Sequence, residues 1–183
     1  MKKEYYNIHK DLIERCRNKD SKAQFELYKL YYKAMYNTCY RITGDEMEAE
    51  DIMQESFLVA FEKINTYKGE VSFGAWLKKI VINKSLDTIK KKKIELVPID
   101  DKILKIKKEE NNEEDAGKYK IEAIRNAIEQ LADGYRIVLS LYLLEGYDHD
   151  EISQILNISS SNSRSQLSRA KQRLKEILKN EKY

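Results

Sequence analysis

The amino-acid sequence predicts an all-α protein of two small helical domains joined by a flexible linker, the second domain containing a helix-turn-helix. One proline and six glycines among 183 residues leave little turn chemistry for a sheet of many strands. Apolar residues recur at helical spacing in almost every segment, except in the charged, weakly apolar stretch after residue 94. We therefore predict a first domain over residues 1–94, a linker over 95–117 and a second domain over 118–183.

The first domain is predicted to contain four helices. A short helix near residues 7–17 precedes a longer one that ends at Gly44, and a third helix opens at Asp45. Acidic residues in the first turn of this third helix suit the positive end of the helix dipole. That explanation does not extend to three polar residues further along the helix: Asp51, Gln54 and Glu55.

The fourth helix, predicted over residues 72–93, carries apolar side chains on two nearly opposite faces. One face begins with Phe73 and Trp76 and then continues with polar side chains. The other face holds three aliphatic residues: Ile82, Leu86 and Ile89. Aromatic rings beside amide and basic groups are typical of surfaces that bind single-stranded nucleic acid. A core tryptophan beside a solvated lysine face is the alternative interpretation of the same pattern.

The second domain is predicted to begin with two amphipathic helices and to end in a helix-turn-helix. The residues expected to face its core are Ile121, Ile124, Ala127, Ile128 and Leu131 in one helix and Ile137, Val138, Leu141 and Leu144 in the next. Asp148 and Glu151 can form a capping box, and Asn157 can close that short helix in the left-handed conformation. The last helix starts at residue 159 or 160, and its polar outer side suits DNA. A charged surface helix in a helical hairpin is the alternative.

Charge is segregated along the chain, although the net charge is only +3. Residues 45–61 contain six acidic side chains and no basic one, whereas residues 78–93 contain seven lysines and one aspartate. A second basic segment, residues 164–182, contains seven basic side chains and two glutamates. One acidic and two basic patches predict more than one kind of partner.

Several classes of protein are not supported by the sequence. We find no apolar N-terminal run of a signal peptide and no stretch of roughly 20 apolar residues. The spacing of the cysteines and histidines does not fit a metal site, and both cysteines are expected to be reduced, partly buried thiols. There is no glycine-rich phosphate loop and no serine, histidine and aspartate order of a hydrolase. We predict a cytoplasmic protein that is not an enzyme, inserts into no membrane, and binds no cofactor or metal.

Two motif blocks resemble conserved regions of bacterial sigma factors. EAEDIMQESFLVAF, with FGAWLKKIVINKSLDTIKK downstream, resembles the second conserved region, and the segment from Leu131 to SRSQLSRAKQRL resembles the fourth. Only a linker lies between them, which is similar to the extracytoplasmic-function (ECF) group of the sigma-70 family. The resemblance implies a subunit that binds bacterial core RNA polymerase, recognises the −10 and −35 elements of promoter DNA and promotes melting. It also implies an anti-sigma factor as a partner.

The resemblance further implies roles for particular residues. Those implied to bind core polymerase are Asp51, Gln54 and Glu55. Those implied to bind the −10 element are Tyr67, Phe73, Trp76, Lys79, Asn83, Asp87, Lys90 and Lys91, with Lys78 and Lys84 as further phosphate partners and the loop 66–72 as the cradle of a flipped base. Those implied to bind the −35 element are Ser161, Asn162, Arg164, Ser165, Gln166 and Arg169.

Three geometric expectations accompany these roles. Trp76, Asn83 and Asp87 should share one accessible surface. The end of the helix that carries Phe73 and Trp76 should be partly available to DNA. The face of the same helix that carries Ile82 should pack on the acidic helix.

The chain departs from the family pattern at several positions. Ala132 replaces the usual proline, Asn157 the usual glycine, the run 161–163 a typical Gly-Thr-Val, and Gln166 a usual arginine. Because Ser163 falls on the inner face, we expect a looser start of the recognition helix. A stand-alone helix-turn-helix regulator is the alternative function, but it leaves the acidic face and the aromatic, basic helix unexplained.

Overall fold

The computed structural model describes residues 8–95 and 116–180, and within these ranges the chain forms helices and no strand. Contacts divide the chain into two compact units, Met1–Lys92 and Lys93–Tyr183. Of the predicted linker, Glu95 ends one helix and Ala116 begins the next. Residues 96–115 of the predicted linker lie outside the described residues.

The first unit contains four α-helices among its described residues. They are α1 (Lys10–Arg17), α2 (Ser21–Thr43), α3 (Glu46–Glu62) and α4 (Phe73–Glu95), with a 3₁₀ turn over Ile64–Thr66. Asp20 caps α2 by accepting hydrogen bonds from two backbone N–H groups, and Asp45 caps α3 by accepting one. Gly44 ends α2 at a φ of 71°, a conformation that costs glycine little.

The core of the first unit draws side chains from all four helices. Its fully buried members include Leu27 of α2, Ala60 of α3 and Leu77 of α4, and Ile13 of α1 closes one end. Tyrosines of α2 line the edge of this core, and Tyr28 lies 4.9 Å from Phe57 between ring centroids. These half-buried rings explain how a highly charged chain still encloses a packed interior.

The two apolar faces of α4 are the ends of one stripe that winds around the helix. The stripe consists of Phe73, Leu77, Val81, Ser85 and Ile89, with Ile82 and Leu86 beside it, and all of these are buried. Each step of four residues advances about 40° beyond a full turn, so the stripe changes sides along the helix. Packing therefore holds α4 from Phe73 to Ile89.

Ion pairs show that α4 lies alongside the acidic helix α3 in the antiparallel direction. Lys84 Nζ lies 2.6 Å from Glu55 Oε2. Lys92, which follows Lys84 on α4, pairs with Glu48, which precedes Glu55 on α3. The burial of the face that carries Ile82 is consistent with the expected packing on α3.

The second unit contains α5 (Ala116–Glu129), α6 (Asp133–Leu139), a π turn (Ser140–Leu144), α7 (His149–Leu156) and α8 (Ser160–Asn180). The capping box at α7 is confirmed, since Asp148 and Glu151 each accept a hydrogen bond from the other's backbone N–H. Asn157 adopts the predicted left-handed conformation at a φ of 55°. Ser159 then caps α8 by accepting from the backbone N–H of Asn162.

Three residues that were expected in the second core are exposed. Ile121 is 64% exposed and Ile124 45%, whereas Ala127, three residues further along α5, is fully buried in the core. Leu144 is 46% exposed, because the π turn inserts an additional residue and rotates it out of the stripe. The hydrogen bond from Glu145 N to Ser140 O, five residues back, marks this wider turn.

Candidate functional site

The outward side of α3 brings together the three polar residues that were singled out in its middle. Asp51, Gln54 and Glu55 are all exposed, and the Gln54 amide lies 3.3 Å from the Glu50 carboxylate. Glu55 carries the ion pair to Lys84 at the boundary with α4. This side of α3 is therefore accessible and acidic.

Two apolar residues extend this side of α3 and were not predicted. Met47 is 80% exposed and Leu58 is 63% exposed. Met47 precedes Asp51 by four residues and Leu58 follows Gln54 by four, so both belong to the same exposed row. Their spacing from the polar residues was the available signal. We call the five residues Met47, Asp51, Gln54, Glu55 and Leu58 the α3 outer face.

The exposed side of α4 forms a continuous row at helical spacing. Its members follow one another at steps of three, four, four and three residues: Trp76, Lys79, Asn83, Asp87 and Lys90. Trp76 is half-buried and the other four are exposed, so the expected shared surface of Trp76, Asn83 and Asp87 is present. We call this row the α4 outer face.

Two lysines implied to hold phosphates lie on a neighbouring side of α4. Lys84 is engaged with Glu55, and Lys91, which follows it by seven residues, is exposed. Lys78 also has an interaction partner within the unit. The lysines that lie in line with Asn83 are therefore Lys79 and Lys90.

The expectation that Phe73 is partly available to DNA is wrong. Phe73 is 1% exposed and Tyr67 is 4% exposed. The Phe73 ring lies 5.4 Å from that of Tyr31, 5.6 Å from that of Tyr67 and 5.6 Å from that of Trp76, between centroids. An apolar ring at the start of α4 is enclosed by its aromatic neighbours, because burying it removes a large apolar area from water. The rings of Phe73 and Tyr67 both pack against the ring of Trp76.

Two hydrogen bonds of Tyr67 hold the loop 66–72, one that its hydroxyl donates and one that its carbonyl accepts. The Tyr67 hydroxyl donates to the carbonyl of Val71 at 2.6 Å, across the turn that Gly69 makes at a φ of 75°. Arg17 of α1 donates from Nη2 to the Tyr67 carbonyl at 2.7 Å. The contribution of Arg17 was not predicted, because no local pattern signals a contact fifty residues along the chain.

The first turns of α8 gather the six residues that were implied to bind the −35 element. Five are exposed and Gln166 is half-buried: Ser161, Asn162, Arg164, Ser165, Gln166 and Arg169. The Gln166 amide donates to the Asn162 side-chain oxygen at 3.2 Å. The inner side of the same helix is buried through Leu167 and Ala170, which fixes the outward direction of the polar residues.

The expected looseness at the start of α8 is not observed. Ser163 is fully buried, and its hydroxyl lies 2.9 Å from Nδ1 of His149. His149 is half-buried. A hydrogen bond between α7 and α8 thus replaces the apolar contact that valine would make.

The described residues include no reactive thiol and no arrangement that could hold a metal ion. Cys16 and Cys39 are free and fully buried, and burial raises the pKa of their thiols from 9.0 to about 11 and about 12 respectively. No group of three acidic, histidine or cysteine side chains in the described ranges could hold a metal. None of the helices in these ranges is long and apolar enough to cross a membrane.

The hydrogen bond from Arg15 holds the pKa of Asp20 below its usual value, with the backbone amides at the start of α2 adding to the effect. This carboxylate therefore stays charged where it caps α2.

Comparisons with known families match both units. Residues 27–94 match the model for Sigma-70 region 2, and residues 121–174 match the model for Sigma-70 region 4. The α3 and α4 outer faces lie within the first match, and the six polar residues of α8 lie within the second.

Individual proteins give the same result. The chain is 33% identical over 153 residues to the ECF RNA polymerase sigma factor SigM of Bacillus subtilis, covering 83% of this chain and 93% of that protein. It is 29% identical over 181 residues to SigW of the same organism, covering 93% and 96%. The fold is similar to that of the sigma factor RpoE of Bartonella quintana, solved with the anti-sigma factor NepR, with a TM-score of 0.59, 21% identity and coverage of 84% and 95%.

Proposed function

We propose which surfaces of this chain carry out each step of transcription initiation. The chain belongs to the ECF group of the sigma-70 family and is an RNA polymerase sigma factor. The α3 outer face docks on core RNA polymerase. The α4 outer face and the loop 66–72 bind the −10 element, and the first turns of α8 bind the −35 element. In this division the chain supplies binding energy and no catalytic step, and it acts in the cytoplasm, where polymerase works.

Docking through the α3 outer face is supported by its charge and by its two apolar residues. An acidic row complements a basic pair of helices on the partner and favours rapid, correctly oriented encounter. Met47 and Leu58 supply the apolar side chains that a stable interface needs at its centre. The pair between Lys84 and Glu55 does not close this face, since the Glu55 side chain remains 60% exposed.

Binding of the −10 element is supported most directly by the alignment of Trp76, Asn83 and Asp87 on a helix whose other side is buried. Trp76 offers a ring face to a base, and the Asn83 and Asp87 side chains offer hydrogen bonds to base edges. Lys79 and Lys90 flank this row and suit the phosphate backbone.

Melting needs no nucleotide hydrolysis in this scheme. Unstacking a base costs a few kcal/mol, and stacking it on a protein ring returns about 1–3 kcal/mol. The half-buried Trp76 packs against Phe73 and Tyr67, and it therefore provides a rigid ring on which an unstacked base can stack. The loop 66–72, tied by Arg17, is a candidate cradle for the flipped base.

Binding of the −35 element is supported by the arrangement of α7 and α8. A tight turn at Asn157 joins them, and α8 presents arginine, serine and amide side chains from its first turns. These groups pair with base edges in the major groove and with phosphates. Gln166 in place of arginine shifts the expected preference toward adenine.

An anti-sigma factor is the remaining proposed partner. The structure of RpoE, whose fold this chain shares, is that of a complex with such a protein. We propose that an anti-sigma factor likewise binds this chain, and that it holds the chain inactive.

Two assays test the docking and −10 assignments separately: binding to core polymerase and run-off transcription. In co-sedimentation with core polymerase, Gln54→Ala combined with Glu55→Ala should reduce binding, because the variant removes two partners of the basic surface. Asn83→Ala should leave core binding unchanged and should reduce run-off transcription from promoters selected out of a random library. Reduced core binding by Asn83→Ala would contradict the assignment of the α4 outer face.

Matched controls are available on α2 of the same unit. Glu26 and Asn37 are exposed, and neither belongs to a proposed interface. Glu26→Ala and Asn37→Ala should behave like the wild type in both assays. A wild-type chain that binds duplex DNA but not core polymerase would instead favour the stand-alone regulator.

A further inference from the structure

The first turns of α7 and α8 are joined by two side-chain hydrogen bonds. His149 Nδ1 lies 2.9 Å from the Ser163 hydroxyl, and the Ser160 hydroxyl donates to Asp150 Oδ1 at 2.7 Å. Ser163 is 0% exposed, so its hydroxyl depends on this partner within the protein. Hydrogen bonds prefer a narrow range of distances and angles, which an apolar contact does not require.

The imidazole of His149 makes a second contact, with an aromatic ring. It stacks on the ring of Tyr142, with centroids 4.7 Å apart and planes inclined by 25°. The Lys171 ammonium lies 5.7 Å from the centroid of that tyrosine ring. Tyr142 belongs to the π turn, so three elements, the π turn, α7 and α8, meet at His149.

Ser163 occupies a decisive position on α8. It lies directly between Asn162 and Arg164, two of the residues proposed to contact the −35 element. In a helix, rotation about the axis that moves one residue moves its neighbours by the same angle. Whatever holds Ser163 therefore helps to set the direction in which Asn162 and Arg164 point, together with the buried Leu167 and Ala170 of the same helix.

We propose that His149 is a positioning residue for promoter recognition, which holds Ser163 and thereby helps to set the rotation of α8 against the −35 element. The proposal rests on the proposed function of α8. His149 touches no base itself and acts through the helix that does. The pair replaces an apolar contact between α7 and α8 with a directional one.

The test uses the full chain bound to core polymerase and a DNA library with a randomised −35 region. His149→Ala and Ser163→Ala should each reduce affinity for the wild-type-selected −35 sequence about 3- to 10-fold, as expected for loss of one hydrogen bond. The double variant should lose no more than either single variant, because both remove the same bond. Ser168→Ala, at an exposed serine of the same helix, is the matched control and should select the wild-type sequence.

A second measurement distinguishes positioning from general stability. His149→Asn places an amide near the position of Nδ1, so this variant should retain the wild-type base preference even if His149→Ala folds poorly. Additive losses in the double variant, or an unchanged −35 preference in His149→Ala, would overturn the proposal. Equal losses in core binding would also overturn it.

The outcome for the wild type separates this proposal from the one on which it rests. If wild-type holoenzyme selects no −35 sequence, the assigned role of α8 fails and this inference falls with it. If it does select one and His149→Ala selects the same sequence, only the inference fails.

Discussion

Phe73 and Trp76 lie three residues apart on α4, yet only the tryptophan reaches solvent. The phenylalanine is enclosed by Tyr31, Tyr67 and Trp76, whereas Trp76 is half-buried at the end of the α4 outer face. Their sequence context is nearly the same, so their different exposure to solvent follows from packing alone.

Replacing each ring should therefore have a different effect. Phe73→Ala should lower the free energy of unfolding by about 3–5 kcal/mol, the usual cost of emptying a buried aromatic site. Trp76→Ala should cost less stability and should weaken the melted complex by about 1–3 kcal/mol through lost base stacking. Chemical denaturation measures the first effect and permanganate footprinting of open promoter complexes the second. Equal effects of the two variants in both assays would contradict this division.

The buried thiols make stability depend on pH in the alkaline range. Their folded pKa values of about 11 and about 12 exceed the value of 9.0 for a free thiol, since burial disfavours the thiolate. The unfolded state therefore loses these protons first. The stabilising contribution is complete below pH 9 and is lost as the pH rises toward the folded values.

Urea denaturation at about pH 8 and about pH 10 should show this loss in the first unit. A variant with Cys16→Ala and Cys39→Ala should lose less stability between the two pH values than the wild type. In the native wild type, both thiols should also resist alkylation near neutral pH. Rapid alkylation without unfolding would contradict their burial.

Among the elements, α8 illustrates how one helix combines a core stripe with a polar surface that we propose to bind DNA. Arg164 lies among the exposed polar residues of its first turns, whereas Arg173 lies further along and pairs with Glu176 at 3.0 Å. Both are arginines of one helix, which makes them a natural comparison.

Arg164→Ala should weaken binding to the selected −35 sequence by about 1–3 kcal/mol and relax the preference at one base pair. Arg173→Ala should leave that preference unchanged. Competition binding of holoenzyme to matched and singly substituted duplexes measures both. A uniform loss across all sequences would show instead that Arg164 contacts only a phosphate.

The elements themselves could be predicted, because caps and apolar spacing are local signals. Asp45 and Asp148 marked helix starts that the structure confirms. Residues whose environment depends on distant contacts could not be predicted. The exposure of Leu144 depends on a π turn, and the contact of Arg17 with the loop depends on how α1 meets it.

At the scale of the whole molecule, each unit has its own core. Leu27 belongs to the cluster of the first unit and Leu131 to that of the second. Each of these clusters contains residues of one unit only. The two surfaces that we propose to bind DNA thus depend on separate packed interiors.

Leu27→Ala should destabilise the first unit by about 2–5 kcal/mol and leave the second unchanged, and Leu131→Ala should do the reverse. Hydrogen exchange followed by mass spectrometry assigns the loss of protection to each unit. Joint loss of protection in both units would indicate a single cooperative structure.

The winding stripe on α4 behaves like the thread of a screw. A straight stripe would allow α4 a small rotation about its own axis without disturbing the packing. With a winding stripe, any such rotation also requires α4 to move along its axis. The ion pairs of Lys84 and Lys92 with α3 oppose that movement. The angle between the α3 and α4 outer faces is therefore set inside the protein. If core polymerase docks on the α3 outer face as proposed, the direction of the Asn83 side chain is set before DNA binds.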